Sequence, residues 1–205
     1  MKTIITVICL LGGIYISSCK KTVFNRAAKG HIVDFTTGKG IAGAKVFLKR
    51  SKGQTLDPTN AVEQDTIYTD SDGNFDFHYK KYNNWSYGIC ASKEDYFFDP
   101  NLDYKTVEKD NNRSLELKLF PKAILNFDIK NSKGGDFLNF GILVGRCSRE
   151  EILGQGVFKT IPFEVIGNTI TPFSYYIVDR NGQESIVDTV IYCPAFQTTT
   201  FTIEY

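Results

Sequence analysis

Histidine, tryptophan and methionine are scarce in this chain of 205 residues, which holds two, one and one of them. With only His31 and His78, and no His-x-x-x-His or Cys-x-x-Cys spacing, the three or four convergent ligands of a zinc site have no sequence support. A Gly-x-Ser-x-Gly elbow is missing as well. A Ser-His-acid triad is assembled in space, so spacing alone leaves that arrangement open. Charge of one sign is lacking too. The 24 Lys and Arg against 23 Asp and Glu leave a net charge of +1, and they are interspersed, unlike the clustered basic surface that nucleic acid requires. Gly134-Gly135 and Gly154-Gln155-Gly156 precede strand patterns, so they lack the helix N-terminus that phosphate loops use. Nothing here calls for a cofactor. After the first twenty residues no helical periodicity persists over three turns, and there is no repeat or low-complexity tract.

What the chain has in plenty is aromatic residues, with 16 Phe and 11 Tyr, a composition that suits strands. Ala44, Val46 and Leu48 alternate with Lys45 and Lys49. Phe75, Phe77 and Tyr79 alternate with Asp76 and His78, and Leu115, Leu117 and Leu119 with Glu116 and Lys118. A period of two puts one face on a core and the other in water. Thr37-Gly38-Lys39-Gly40, Ser71-Asp72-Gly73-Asn74 and Asn83-Asn84 punctuate these runs as turns. Asp72-Gly73 between two strand patterns predicts a hairpin, because glycine takes positive φ without steric cost. Asp70, Asp72, Asn74 and Asp76 alternate like the opening of a calcium loop. Phe75 and Lys81 stand where an EF-hand needs Gly and Glu, so the turn is the better account.

The N-terminus combines Lys2 with an apolar run from Ile4 to Ile16, a length that suits a secretory signal and is too short for a membrane span. Ile16-Ser17-Ser18-Cys19 resembles the lipobox of bacterial lipoproteins. That resemblance implies cleavage before Cys19, acylation of its thiol, and attachment to a membrane, with the outer membrane of the cell envelope expected and the face left open. Residues 1–18 are then a signal peptide and 19–28 a lipid-anchored tether. Loss of the signal removes Lys2 and no acid, so the mature chain carries no net charge.

Gly30-His31-Ile32-Val33-Asp34, Thr37-Gly38-Lys39-Gly40-Ile41-Ala42-Gly43-Ala44-Lys45-Val46 and Thr69-Asp70-Ser71-Asp72-Gly73-Asn74-Phe75, in that order, resemble the carboxypeptidase regulatory-like (transthyretin-like) domain. Gly40 stands where Pro is commoner, and residues 52–63 form an insertion expected to make a flexible loop. The resemblance implies a small β-sandwich over residues 29–120, without peptidase activity, serving as an accessory module on exported proteins. Strand patterns at 123–130, 137–145, 157–165, 170–178, 185–192 and 198–205 follow Phe120-Pro121, where proline is expected to break the chain's course. They predict a second sandwich over 121–205. The fold class is therefore all-β, two small antiparallel β-sandwich domains in tandem after a cleaved signal peptide.

Of the five cysteines, Cys9 leaves with the signal and Cys19 is lipidated. Cys147 and Cys193, each at the end of a strand pattern in the second half, are the candidates for one disulfide; buried reduced thiols are the alternative, with Cys90 alone in the first half. Trp85, Tyr82 and Tyr87, with Tyr96, Phe97 and Phe98 near by, make either an aromatic binding surface that could stack on sugar rings or plain core. Asp65-Thr66-Ile67 and Asp188-Thr189-Val190 resemble the tripeptide that some Gram-negative bacteria O-glycosylate, which marks Thr66 and Thr189. The expected function is that of a non-catalytic envelope lipoprotein that binds or scaffolds a protein or glycan partner. The alternatives are a structural surface-assembly subunit and an unrecognised hydrolase. Replacing Cys19 with Ala is expected to abolish labelling by a fatty-acid analogue and to release the protein from membranes; unchanged membrane retention would contradict the lipid anchor.

Overall fold

The computed structural model describes residues 23–205 apart from 54, 58–59, 98–103, 108–113, 133–136, 143–147, 154–155 and 180. Among the described residues there is no helix. The strands are β1 (Val23–Asp34), β2 (Lys45–Lys52), β3 (Val62–Tyr68), β4 (Asn74–Tyr82), β5 (Trp85–Ser92), β6 (Tyr96–Phe97), β7 (Tyr104–Thr106), β8 (Leu115–Lys130), β9 (Phe137–Ile142), β10 (Ser148–Leu153), β11 (Phe158–Ile166), β12 (Thr169–Val178), β13 (Glu184–Cys193) and β14 (Thr198–Glu204). They form two cores. In the first, β4, β1 and the start of β8 face β3-β2-β5-β7, and Ile32, Phe77 and Leu119 meet Val46, Leu48 and Ile89. In the second, β11, the rest of β8 and β14 face β10-β9-β12-β13. There Leu125, Phe127 and Ile203 meet Leu138, Phe173 and Cys193. Pairing is antiparallel except where β8 runs parallel to β1 and to β14.

Strand β8 departs from the sequence expectation, because it passes through Pro121 unbroken. Its inward positions Leu117, Leu119, Pro121, Ala123, Leu125, Phe127 and Ile129 are all buried. Proline is tolerated because it stands where partners change. The ladder with β1 ends at Asp34–Leu119, the two-residue β6 pairs with Phe120 and Pro121, and the ladder with β11 begins at Ile166–Lys122. A residue without an N–H loses little at such a break, and the Pro121 carbonyl still accepts from Gly167 N at 2.7 Å. The expected tether also shrinks. Residues 23–28 are the first half of β1, paired with β4 from Val23–Tyr82 onward. Strand β10 carries no clean alternation and was not expected. Within the insertion 52–63, Leu56 is buried and Asp57 N donates to Ser51 Oγ at 2.8 Å. Its described part thus packs on the outer face of β5 near Gly88.

The Asp72-Gly73 turn is present, but it does not close a hairpin. Strand β3 pairs with β2 while β4 pairs with β1, so the turn carries the chain from one layer to the other. Asp70 shapes it, accepting from Asp72 N at 2.9 Å and Asn74 N at 2.8 Å. These hydrogen bonds, the Asn74 amide first, hold the Asp70 carboxyl below the usual range. Asp76 instead pairs with Lys29 at 2.6 Å, so the alternating acids do not converge on a cation. Gly73, at φ +83°, lies so close to β1 that a Cβ would stand 2.6 Å from the Ile32 carbonyl and 2.7 Å from Ile41 N.

The two cores meet at a joint of polar and aromatic contacts around buried Asp34. Its carboxylate accepts from Thr36 N at 2.8 Å, Thr36 Oγ1 at 2.7 Å, Thr37 N at 2.9 Å and Tyr96 OH at 3.1 Å. Burial pushes the Asp34 carboxyl up, but these donors, Thr36 foremost, outweigh it and leave it below its ordinary value. Burial and the facing Asp34 charge push the Tyr96 phenol up to about 12. From the second half, Asn168 Nδ2 donates to Thr36 Oγ1 at 3.2 Å and its Oδ1 accepts from Ala195 N at 3.0 Å. Phe35 packs on Phe120 with centroids 4.4 Å apart, and Tyr96 meets Phe196 edge-on at 5.3 Å. Asp95, Asn168 and Phe196 all adopt positive φ here. Asp and Asn tolerate that conformation, whereas for Phe196 it is unfavourable and surrounding contacts must hold it.

Gly73→Val is expected to destabilise the chain by about 2 kcal/mol or more in equilibrium denaturation, since a β-branched residue at positive φ adds strain to a backbone clash. Unchanged stability would mean that the turn is free to move away from β1.

Candidate functional site

The residues expected to carry function fall in different places. Cys19 and Cys147 lie outside the described residues, as does Phe98. Cys193 is fully buried in the second core. Burial pushes its thiol up, against weaker opposing hydrogen bonds with Thr171 and Thr199. Cys90 is buried on β5, on the face opposite the core residues Ile89 and Ala91. Thr66 is half-buried on β3 and donates to Glu63 Oε1 at 2.8 Å. Thr189 is half-buried on β13, opposite Phe173. His31 Nδ1 is 2.8 Å from Asn74 Oδ1, and exposed His78 pairs with Asp76 at 3.1 Å. Among the described residues no group of three or more His, Cys, Asp or Glu converges as metal ligands would.

The expected aromatic cluster divides. Tyr96 and Phe97 belong to the joint. Tyr87 is core and not surface, with 1% of its area exposed, because it occupies an inward position of β5 beneath β4. Its ring lies 5.5 Å from that of Tyr79, and its hydroxyl accepts from Tyr82 N at 3.0 Å. Tyr82 and Trp85 remain half-buried at the rim of the first sandwich. This rim is where the sandwich opens, between edge strands β3 and β4, into a cleft of about 660 Å³.

Two arginines that sequence reading passed over line this cleft. Arg26 continues the inward face of β1 below Ala28 and Ile32, and Arg50 continues that of β2 below Val46 and Leu48. The signal was present in the alternation, since each hydrophobic face ends in a guanidinium. Both Nε atoms are buried and have no hydrogen-bond partner among the described residues. The Arg50 Cζ lies over Trp85, 4.5 Å from the ring centroid, with the Tyr82 ring at 5.9 Å. Arg26 lies 5.5 Å from the Phe24 ring. The ion pairs of the described residues use lysines and His78, and none uses an arginine. Lys80 and His78 add further basic groups at the rim, while Asn25, Gln64 and Asp65 supply polar ones. Asp65 accepts the amide of Thr66 at 2.8 Å. The arrangement can hold an anion by charge and by directed N–H groups.

No protein-family model and no curated protein matches the chain. Among solved structures, the TIE protein of Bacillus anthracis overlaps 88% of the chain at 13% identity and a TM-score of 0.36; the chain spans about a third (34%) of that protein. The shaft pilin SpaA of Lactobacillus rhamnosus GG overlaps 89% of the chain and 98% of its own at 10% identity and a TM-score of 0.33. The major pilin subunit BcpA of Bacillus cereus overlaps 83% of the chain and 69% of its own at 12% identity and 0.36. Overlap at this level is that of partly superimposed β-layers, and no function is carried over from it.

Tyr87→Phe is expected to destabilise the protein by about 1–2 kcal/mol in chemical denaturation, because the Tyr82 amide loses its acceptor where water does not replace it. An unchanged midpoint would show that the rim admits water to that amide.

Proposed function

We propose that the chain is a non-catalytic lipoprotein of the bacterial cell envelope. Anchored through Cys19, it acts as a stiff scaffold that holds a binding surface for a protein or glycan partner away from the membrane. The carboxypeptidase regulatory-like resemblance of residues 29–120 and the lipobox support the compartment and the accessory role. The observation that carries the scaffold reading is the course of β8. One strand of 16 residues contributes its buried face to both cores without a linker between them. A covalent strand shared by two sheets resists bending, because any hinge at Pro121 must break ladder bonds on both sides together with the contacts of the Asp34 joint.

A surface-assembly subunit is the second reading, and one feature favours it. Strand β13 ends its sheet, and Ile186, Val190 and Tyr192 are exposed on one face of it with Asp188 among them. An open edge strand is where another strand can add.

The scaffold reading predicts one cooperative thermal transition for the whole chain at pH 7. Asp34→Asn is expected to cost about 1–3 kcal/mol, since hydrogen bonds to a charged group are lost, and to separate the melting of the two cores. The sign with pH follows from the lowered Asp34 value. The carboxylate stabilises the fold at pH above its unfolded value near 3.8, and that contribution is lost as pH falls through the lower folded value. Asp34→Asn removes this part of the acid slope. Two separate transitions in the parent protein at pH 7 would rule the stiff scaffold out.

A further inference from the structure

Arg26 and Arg50 violate the rule that places apolar residues at inward positions of a sandwich, and among the described residues they meet aromatic rings but form no ion pair. Both project from the inward faces of facing sheets toward one cleft. Each keeps a buried Nε with no hydrogen-bond partner. Guanidinium groups stay protonated in proteins, so two positive charges line one cleft, each with its Nε cut off from water. Withdrawing a charge from water is unfavourable unless an opposite charge meets it, and two like charges in one cleft add repulsion. The site is electrostatically incomplete.

The completing group must be anionic, and the cleft's remaining surface narrows its class. Asn25, Gln64 and Asp65 bring planar amide and carboxylate groups, and Tyr79 and Tyr82 bring rings with polar tips; Leu48 is the aliphatic side chain of the lining. Hydroxyl-bearing rings are recognised by this mixture, whose planar polar groups pair with hydroxyls while aromatic faces cover C–H surfaces. A peptide strand would need apolar pockets for alternate side chains, which the lining lacks. We infer that the cleft between β3 and β4 is a binding site for a carboxylated saccharide of the hexuronate type, with Arg26 and Arg50 holding the carboxylate and Tyr82, Gln64 and Asn25 contacting the sugar ring. Arg50 is pre-set for this task. Its contact with the Trp85 ring restricts where the guanidinium can lie, which lowers the ordering cost when a carboxylate arrives.

Trp85 is the one tryptophan in the chain, so its fluorescence reports on Arg50 without labelling. The full chain in detergent is titrated with tetragalacturonate, with a neutral oligosaccharide of equal length, with acetate, with inorganic phosphate and with an oligoglutamate peptide. The expected result is a saturable change of Trp85 emission with tetragalacturonate alone, accompanied by a higher melting temperature. Arg26→Gln and Arg50→Gln are each expected to weaken that response about tenfold or more, as loss of a charge-assisted hydrogen bond does. Their unliganded melting temperature should stay level or rise, because an unpaired charge has been removed. Arg26→Lys should restore only part of the affinity, since a point charge lacks the guanidinium fork. An equal response to acetate or phosphate would overturn the saccharide assignment, and an equal response to oligoglutamate would assign the site to an acidic peptide. No response to any anion, or a lower unliganded melting temperature in both glutamine variants, would show that the arginines only support the fold.

Discussion

Strand β8 is the element on which the rest of the molecule depends. A strand has two faces and a fixed period, so whichever face is apolar must be covered along its whole length. In β8 the apolar face runs without interruption from Leu117 to Ile129. That length exceeds what one small sandwich can cover, and the solution is two facing layers placed end to end on the same side of one strand. The partners on the strand's edges change at Pro121, and Asp34, Tyr96, Asn168 and Phe196 close the space around the change. Three described non-glycine residues held at positive φ lie in this joint. The backbone is bent there to let loops from both cores approach one strand.

The same period explains the cleft at the far end of the first sandwich. Strands β1 and β2 carry their inward faces beyond the length that the hydrophobic cluster fills. Past Ala28 and Leu48 the facing layers splay apart, with β3 and β4 as their edges, and Arg26 and Arg50 occupy the next inward positions. An arginine can serve there because its aliphatic stem lines apolar surface while its head reaches a wetter rim. Contact with the Trp85 ring then restricts where the head of Arg50 lies. The two ends of the first sandwich are thus treated differently. One is sealed by a satisfied carboxylate against the second core, and the other is open and lined by two guanidinium groups whose Nε atoms have no hydrogen-bond partner among the described residues.

Much of this was legible in the residues. The alternations around Val46, Phe77 and Leu117 predict strands β2, β4 and β8, and the strand patterns from 157 onward fall within a residue or two of β11, β12, β13 and β14. These readings hold because burial of one strand face imprints a period of two on the sequence. The misreadings have equally local causes. Pro121 signals a break only if its N–H would have been paired, which depends on partners that are distant in sequence. Asp72-Gly73 signals a tight turn, but whether the flanking strands pair with each other or with β2 and β1 depends on which sheet each joins. Val23 and Phe24 do not alternate with the rest of β1, so the strand's early start was hidden until β4 was seen to extend beside it.

The order of residues by itself determined the all-β character, the turn positions, the aromatic content of the cores and the presence of two arginines in register with apolar faces. These are local properties, set by side-chain volume, φ preference and alternation. Only the tertiary structure decided that β8 serves two cores, that the Asp72-Gly73 turn joins two layers, that Tyr87 is sealed beneath Tyr79, and that Arg26 and Arg50 line one cleft. Each of these is a pairing between residues far apart in the chain. The strand period says which face a residue occupies, but carries no information about which other face it will meet.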